Sequence, residues 1–376
     1  GAEHTGAARA LSRAGQSAMT ARRVVLFVTH DPFWRLGGGE RTRNLALAWM
    51  LGQLFDLHLF CLAPVGDADH KRLAALRVSA TLHACADAEP AAACSRLAEI
   101  VGAIGAHACI LARLRLDFLV DALPPGVLRI LDTHDLVSDN VASRARAGLA
   151  PWGGIDLSFD EEMQRLARYD HVLLIQQDDA RRVAAAIGSR ALCVPHPVMF
   201  ARQPVRAQGR VLCFVASGWR GNVDALDWFA HEVWPALEGV TAELHVWGSV
   251  CQMWTPPTGV AAIAHGFVAD YTAIWGRIDV AINPVRWGSG LKIKNVEALG
   301  HGVPLVTTIE GARGLDDETG RCFRVADDPE GFARHCRELL ADATLRDQIG
   351  ARAHDYAALH FSPQTCFAPL IRALLI

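Results

Sequence analysis

From residue 24 onward, short aliphatic or β-branched runs alternate with longer segments whose apolar residues recur at helical spacing, the pattern of strand–helix units around a parallel sheet. In the first half the predicted strands are VVLFVTH (24–30), DLHLFCL (56–62), HACILA (107–112), VLRILDT (127–133), HVLLI (171–175) and ALCV (191–194). A helical period over 40–52 puts Leu45, Leu47, Ala48 and Leu51 on one buried face. Another over 156–168 carries Glu161, Glu162, Arg165 and Arg168 at i,i+3 and i,i+4 spacing, a charge ladder predicted to be a solvated face.

The pattern then stops. PHPVMFARQPVRAQGR has three prolines and little periodicity, which marks a linker, and a second series of the same kind follows. Its predicted strands are 210–217, 242–248, 259–265, 278–284, 303–308 and 321–325, with helices near 222–237, 290–300 and 328–341 and a mostly helical stretch from 344 to the end. The expected organisation is an N-terminal extension over 1–20, a first α/β domain over 21–200, a second over 201–355 and a final helix over 356–376. Two parallel sheets facing one another place a ligand crevice at the carboxyl ends of their strands.

Composition narrows the function. The 376 residues are 51% apolar and 20% charged, so the chain folds, and its formal net charge of -3 offers nothing global to a nucleic acid. Ten scattered cysteines without a C-x-x-C pair read as small buried hydrophobes in a reducing cytoplasm, and no metal centre is expected. No apolar stretch approaches the roughly 18 residues of a membrane span, so any membrane contact is expected to be peripheral. Residues 1–20, rich in Ala, Gly and Ser, read as an extension, with Met19 the expected natural start. P-loop, dinucleotide, nucleophile-elbow and H-E-x-x-H signatures do not occur, and the D-x-D at Asp67 to Asp69 sits in a polar stretch with little to favour metal binding.

Two segments carry chemistry. HDPFWRLGGGERTRN follows the first strand, and Gly37, Gly38 and Gly39 before a helix suit close backbone approach to an anion or a sugar, although a plain flexible loop explains them equally. The stronger segment is INPVRWGSGLKIKNVEALGHGVPLVTT. A turn of Gly288, Ser289 and Gly290 opens a helix holding Lys292, Lys294 and Glu297. The chain has only three lysines, and two of them fall here, where an ammonium beside free N–H groups suits a pyrophosphate. Glu297 lies one turn beyond Lys294 and can accept from a ribose diol; the alternative is an i,i+3 salt bridge on an exposed helix.

This segment resembles the donor-binding signature of GT-B glycosyltransferases, in the family 4-like branch that reads Gly-small-Gly, two lysines one residue apart, then Glu-Ala. GGGERTRNLALAWML, DHVLLIQQDDARRV, VLCFVASGWRGNVDALDWFAHEVWP, HVWGS and HGFVADY resemble further stations of that family in the right order. The resemblance implies an α/β GT-B fold of two Rossmann-like domains across a cleft, closed by a last helix that packs back on the first. It implies a retaining, metal-independent transferase that moves a sugar from a nucleoside diphosphate to a glycan, lipid-linked or other hydroxyl acceptor, in cell-surface polysaccharide or glycoconjugate synthesis, with no cofactor.

Carried over by position, Lys292, Lys294, Glu297 and His134 form the catalytic set. Gly38, Gly39, Ser217, Gly218, Gly248, Phe267, Val268, Gly288, Ser289, Gly290 and Leu291 form the donor-contact set. His30 competes with His134 as the histidine near the transferred sugar, and Trp34, Trp152 and arginines near Arg144 are candidates for an acceptor groove. Ser289 stands where many members have a glutamate, which leaves the sugar preference open. The alternatives are a nucleotide-sugar 2-epimerase-type isomerase, which has the same two-domain architecture, and a catalytically silent nucleotide-sugar-binding protein.

Overall fold

The computed structural model describes residues 22–85, 89–149, 154–268, 272–315 and 321–376. The expectations for residues 1–20, Met19, Trp152 and the end of HGFVADY fall outside these. Seven strands form the first sheet: β1 (Val24–Thr29), β2 (Asp56–Cys61), β3 (Thr81–Ala84), β4 (Ala108–Ala112), β5 (Leu128–Asp132), β6 (His171–Leu174) and β7 (Ala191–Cys193), in the order β3-β2-β1-β4-β5-β6-β7. Six form the second: β8 (Val211–Val215), β9 (Glu243–Trp247), β10 (Ala262–Gly266), β11 (Val280–Asn283), β12 (Leu305–Thr307) and β13 (Arg324–Val325), in the order β10-β9-β8-β11-β12-β13. Every pairing in both sheets is parallel.

The central strands β4 and β8 are apolar at every position, and β1 at all but its last, because both faces of each sheet are covered. Leu26, Val28, Cys109 and Leu111 point into one cluster, and Val25, Phe27, Ala108 and Ile110 into the cluster on the opposite face. In the second sheet Leu212 and Phe214 face one cluster while Cys213 and Val215 face the other. Seven of the ten cysteines are buried in this packing, and all ten are free thiols. Among the described residues no helix is long and apolar enough to cross a membrane.

Chain order reverses at β1 in the first sheet, between β2 and β4, and at β8 in the second, between β9 and β11. At such a reversal the loops leaving neighbouring strands diverge and open a crevice at the carboxyl ends. The helix Pro363–Leu375 ends the chain against the first sheet: Phe367, Leu370 and Leu374 join its core, and Arg23 donates to the Leu374 carbonyl at 2.8 Å.

The structure departs from the sequence expectations in four places. The short edge strand β3 and the helix Val137–Arg146 were not expected. The segment over 222–237 is helical as Arg220–Trp228, then widens to a π turn and ends in a tight turn at Trp234–Leu237, because Pro235 has no N–H to continue the ladder. The charge ladder is not a solvated face at Glu162. That residue is fully buried, and its carboxylate accepts from the Val137 and Ser138 N–H groups and the Ser138 hydroxyl, capping the Val137–Arg146 helix.

Candidate active site

A cleft of about 1120 Å³ opens between the carboxyl ends of the two sheets. Its first wall begins with the glycine loop after β1. Gly37 and Gly38 have φ of 96° and 83°, a region side-chain-bearing residues avoid, and they bring the loop against the second half. A Cβ on Gly37 would lie 3.5 Å from the Phe267 ring, and one on Gly39 would lie 3.4 Å from Ile293.

The loops after β4 and β5 add Arg113 and His134, both non-glycine residues with positive φ, 77° and 62°. Such backbone costs about 1–3 kcal/mol per residue and persists where surrounding contacts impose it. For His134 the contacts are visible. Its Nε2 lies 3.1 Å from both Asn44 Oδ1 and Asp132 Oδ2, so that nitrogen carries a proton toward two acceptor oxygens.

Asp132 is itself clasped by Arg43, with Nε–Oδ2 at 2.9 Å and Nη2–Oδ1 at 2.7 Å. Burial pushes the Asp132 carboxyl up, but the Arg43 and His134 charges outweigh it and hold it well below the usual carboxylate range. His196, buried beside this group, is pushed down to about 3 by burial and by repulsion from Arg43 and His134, so it stays neutral. The Gly39–Leu54 helix supplies Arg43 and Asn44 from its first turns while Leu47, Ala48 and Leu51 face the core; Leu45 is only partly covered. His30 is exposed and bonded to Asp31 at 3.2 Å, so of the two candidate histidines it is His134 that lines the cleft. Trp34 is no groove residue: it is buried and donates to Asp69 at 2.8 Å. Asp69 also takes Arg35 and the Gly66 N–H, which occupies the acid of the D-x-D stretch.

The second wall comes from the loops after β8 and β11. Ser217, Trp219, Asn222, Ser289, Gly290, Leu291, Lys292, Lys294 and Glu297 all line it. The helix begins at Ile293, so Lys292 is its N-cap residue, and its Nζ folds back to the carbonyls of Ser289 and Gly290 at 3.3 and 2.9 Å and to Glu310 at 3.4 Å. Lys294 reaches instead across to Asn222 Oδ1 at 2.7 Å. Burial pushes Lys294 well below its ordinary value and Lys292 adds repulsion, with Glu297 opposing both. Burial raises Glu297 to about 7 against the pull of Lys294. Among the described residues the two make no ion pair within 4 Å, so the exposed salt-bridge reading of this helix does not hold.

Five expected donor contacts lie off the cleft wall. Gly218 and Gly248 bond to Ser249 Oγ and the Gly266 carbonyl at 2.9 and 2.7 Å, and the Gly288 N–H donates to Ser143 Oγ at 2.8 Å. Phe267 is exposed and Val268 half-buried, beyond the lining residues. Conversely, the cleft includes Glu40, Arg113, Arg115, Asp135 and Asn140, none of which the sequence motifs singled out. Glu40 pairs with Arg115 and lies 3.8 Å from Arg113, and Arg144, expected near an acceptor groove, lines the cleft as a buried guanidinium paired to Asp156 at 2.5 Å.

The halves touch through the Val137–Arg146 helix. Asp139 accepts from Arg182 of its own half at 2.7 Å and from Arg313 of the other at 3.0 Å, and Asn140 donates to Ser289 at 3.2 Å.

The two-sheet architecture matches known proteins. Residues 209–342 match the family model for glycosyl transferases group 1. The second half carries a glycosyl transferases group 1 domain. Over 94% of its length the chain has the GT-B fold of its structural neighbours. The Anabaena protein Alr3699/HepE, crystallised with UDP, superposes with a TM-score of 0.68 at 12% identity over 94% of this chain and 99% of that one. Sucrose-phosphate synthase from Thermosynechococcus elongatus gives 0.67 at 11% identity over 94% and 99%, and TarM gives 0.72 at 8% over 95% and 99%. No curated protein sequence matches the chain. The glycosyl transferases group 1 match begins at residue 209, so the first wall of the cleft, with His134 and Arg113, lies outside it.

Proposed function

We propose that the chain transfers a sugar from a nucleoside-diphosphate donor to a hydroxyl acceptor, with retention of anomeric configuration and without a metal. The reading rests above all on two ammonium groups, Lys292 and Lys294, set on the wall of the cleft opposite His134. Lys294 has an amide oxygen rather than a carboxylate as its close partner, which leaves its charge for a ligand. The UDP held by HepE is of the donor class assigned here.

In this reading the diphosphate sits against Lys294 and the Ser289–Gly290 side of the turn. As the glycosidic bond lengthens, negative charge grows on the departing phosphate, and a fixed ammonium in a water-poor cleft stabilises it more than water would. That supplies by side chain what a divalent cation supplies elsewhere. Glu297, once ionised, accepts from the ribose hydroxyls. His134, oriented by Asp132 and Asn44 at its Nε2, stands as a hydrogen-bonding partner for the sugar and the incoming hydroxyl. Retention follows the family resemblance, as does a place in surface polysaccharide or glycoconjugate assembly.

A thermal-shift screen of UDP-, GDP-, dTDP- and CMP-sugars with EDTA present tests this, because a ligand specific for the native state raises Tm by mass action. One donor class is expected to stabilise the chain, and a defined acceptor is then expected to give a product whose anomeric proton keeps the donor's configuration. An inverted product, or stabilisation only with added metal, contradicts the corresponding part of the reading.

A further inference from the structure

Asp135 is a cleft carboxylate gripped from both halves of the molecule. Arg113 Nη2 lies 3.2 Å from its Oδ1, and Ser289 of the second half donates its hydroxyl to Oδ2 at 2.6 Å. Ser289 in turn accepts from Asn140 at 3.2 Å, so its own capacity is nearly spent. A carboxylate accepts about four hydrogen bonds, so two positions on Asp135 remain for a ligand. The side chain is 18% exposed and lines the cleft, directly after His134. It is also pressed against the lysine-bearing turn, since a Cβ on Gly290 would fall 3.0 Å from the Asp135 Cβ.

We propose that Asp135, oriented by Arg113 and Ser289, accepts the hydroxyls of the transferred sugar and decides which sugar is taken. The inference rests on the donor reading above: a diphosphate held at Lys294 places its sugar beside this turn, between the turn and His134, where Asp135 presents its open positions. Arg113 is aimed into the cleft by backbone of φ 77° and ψ 146°, so Asp135 meets the sugar with one oxygen already fixed. A bridge between halves alone would also explain the Ser289 bond, and the two roles differ in what they do to affinity. A bridge that only holds the halves together affects nucleotide and nucleotide-sugar alike, whereas a hydroxyl acceptor affects only the part of affinity that the sugar adds.

The experiment is calorimetric titration of the full chain with UDP, GDP and dTDP, and with UDP-glucose, UDP-galactose, GDP-mannose and dTDP-glucose, for wild type, Asp135→Asn and Ser289→Ala. With the nucleotide that wild type binds, Asp135→Asn is expected to change Kd by less than about threefold, while the preferred sugar nucleotide weakens by roughly tenfold or more, the loss of one charge-assisted hydrogen bond. Ser289→Ala shifts the same ratio in the same direction by less. Equal weakening of nucleotide and sugar nucleotide, or no change in either, overturns the role of Asp135 and leaves the donor reading intact. Wild type that binds none of the nucleotides overturns the donor reading, and the inference with it.

Discussion

The Lys294 Nζ stands 2.7 Å from Asn222 Oδ1 and 4.1 Å from the centre of the Phe214 ring, an ammonium held by an amide oxygen and an aromatic face. Neither partner carries a full negative charge, so the buried cation is under-compensated until an anion arrives. A bound diphosphate supplies that charge and raises the Lys294 pKa from its depressed value. Between the free and bound values, binding therefore takes up a proton, and affinity falls as pH rises through that window. Calorimetry of nucleotide binding in buffers of different ionisation enthalpy, repeated as pH is raised toward the ordinary lysine value, should show net uptake within that window; an enthalpy independent of buffer at every pH contradicts it.

Glu297 leaves a signature in stability. Its folded value of about 7 lies above the ordinary 4.5, so the folded chain holds a proton that the unfolded chain has released between those two values. The contribution is complete below about pH 4.5 and is lost as pH rises through 7. Glu297→Gln removes the titration. It should match wild type in urea unfolding at pH 4 and exceed it at pH 8, by on the order of 3 kcal/mol. An offset that does not change with pH shows that the carboxyl is not held protonated by burial.

The pair of Arg43 and Asp132 is buried to 1% and 0% exposure. Removing one member of such a pair strands the other charge, at about 3–5 kcal/mol. Arg43→Met should therefore lose stability on that scale and, by releasing Asp132, disorient His134. The Asp132 carboxyl is held below the usual range, so its contribution is present above the ordinary carboxylate pKa and fades as acid is added. The stability gap between variant and wild type should narrow toward low pH; a gap that is constant in pH denies the pair an electrostatic role.

Asp139 joins the halves through Arg313 while also holding Arg182. Asp139→Ala leaves one bridge fewer, and partly exposed pairs of this kind are worth up to about 1 kcal/mol. Small-angle scattering of the unliganded variant should give a larger radius of gyration than wild type, and saturating donor should restore the smaller value. An unchanged radius would mean that the remaining contacts of the Val137–Arg146 helix suffice.

The parts of this architecture that sequence revealed are those where one residue run decides the outcome. β1, β4 and β8 are covered on both faces, so their apolar runs are unbroken and legible. The lysine patch was legible for the same reason, because turn, ammonium groups and carboxylate fall within one short segment. β3 lies at a sheet edge with no residue fully buried, and its TLHA gives no apolar signal. The Val137–Arg146 helix turns Asp139, Asn140 and Ser143 toward the other half, so it has no apolar stripe to betray it. Glu162 was misjudged because its partners, the Val137 and Ser138 N–H groups, lie 25 and 24 residues away in sequence. Asp135 was invisible for a stronger reason: its partner Ser289 is 154 residues distant, and only the closed arrangement of both sheets brings them together.

The central claim is that Lys292 and Lys294 seat the donor's diphosphate. Its most direct test is the affinity of the bare nucleoside diphosphate, in EDTA, for wild type, each single alanine variant and the Lys292→Ala/Lys294→Ala double variant. At roughly 1.5–3 kcal/mol per charge-assisted hydrogen bond, Lys294→Ala should weaken binding by about ten- to a hundredfold and the double variant by more, while the corresponding nucleoside without phosphates binds all four proteins alike. A double variant that binds the diphosphate as tightly as wild type contradicts the account.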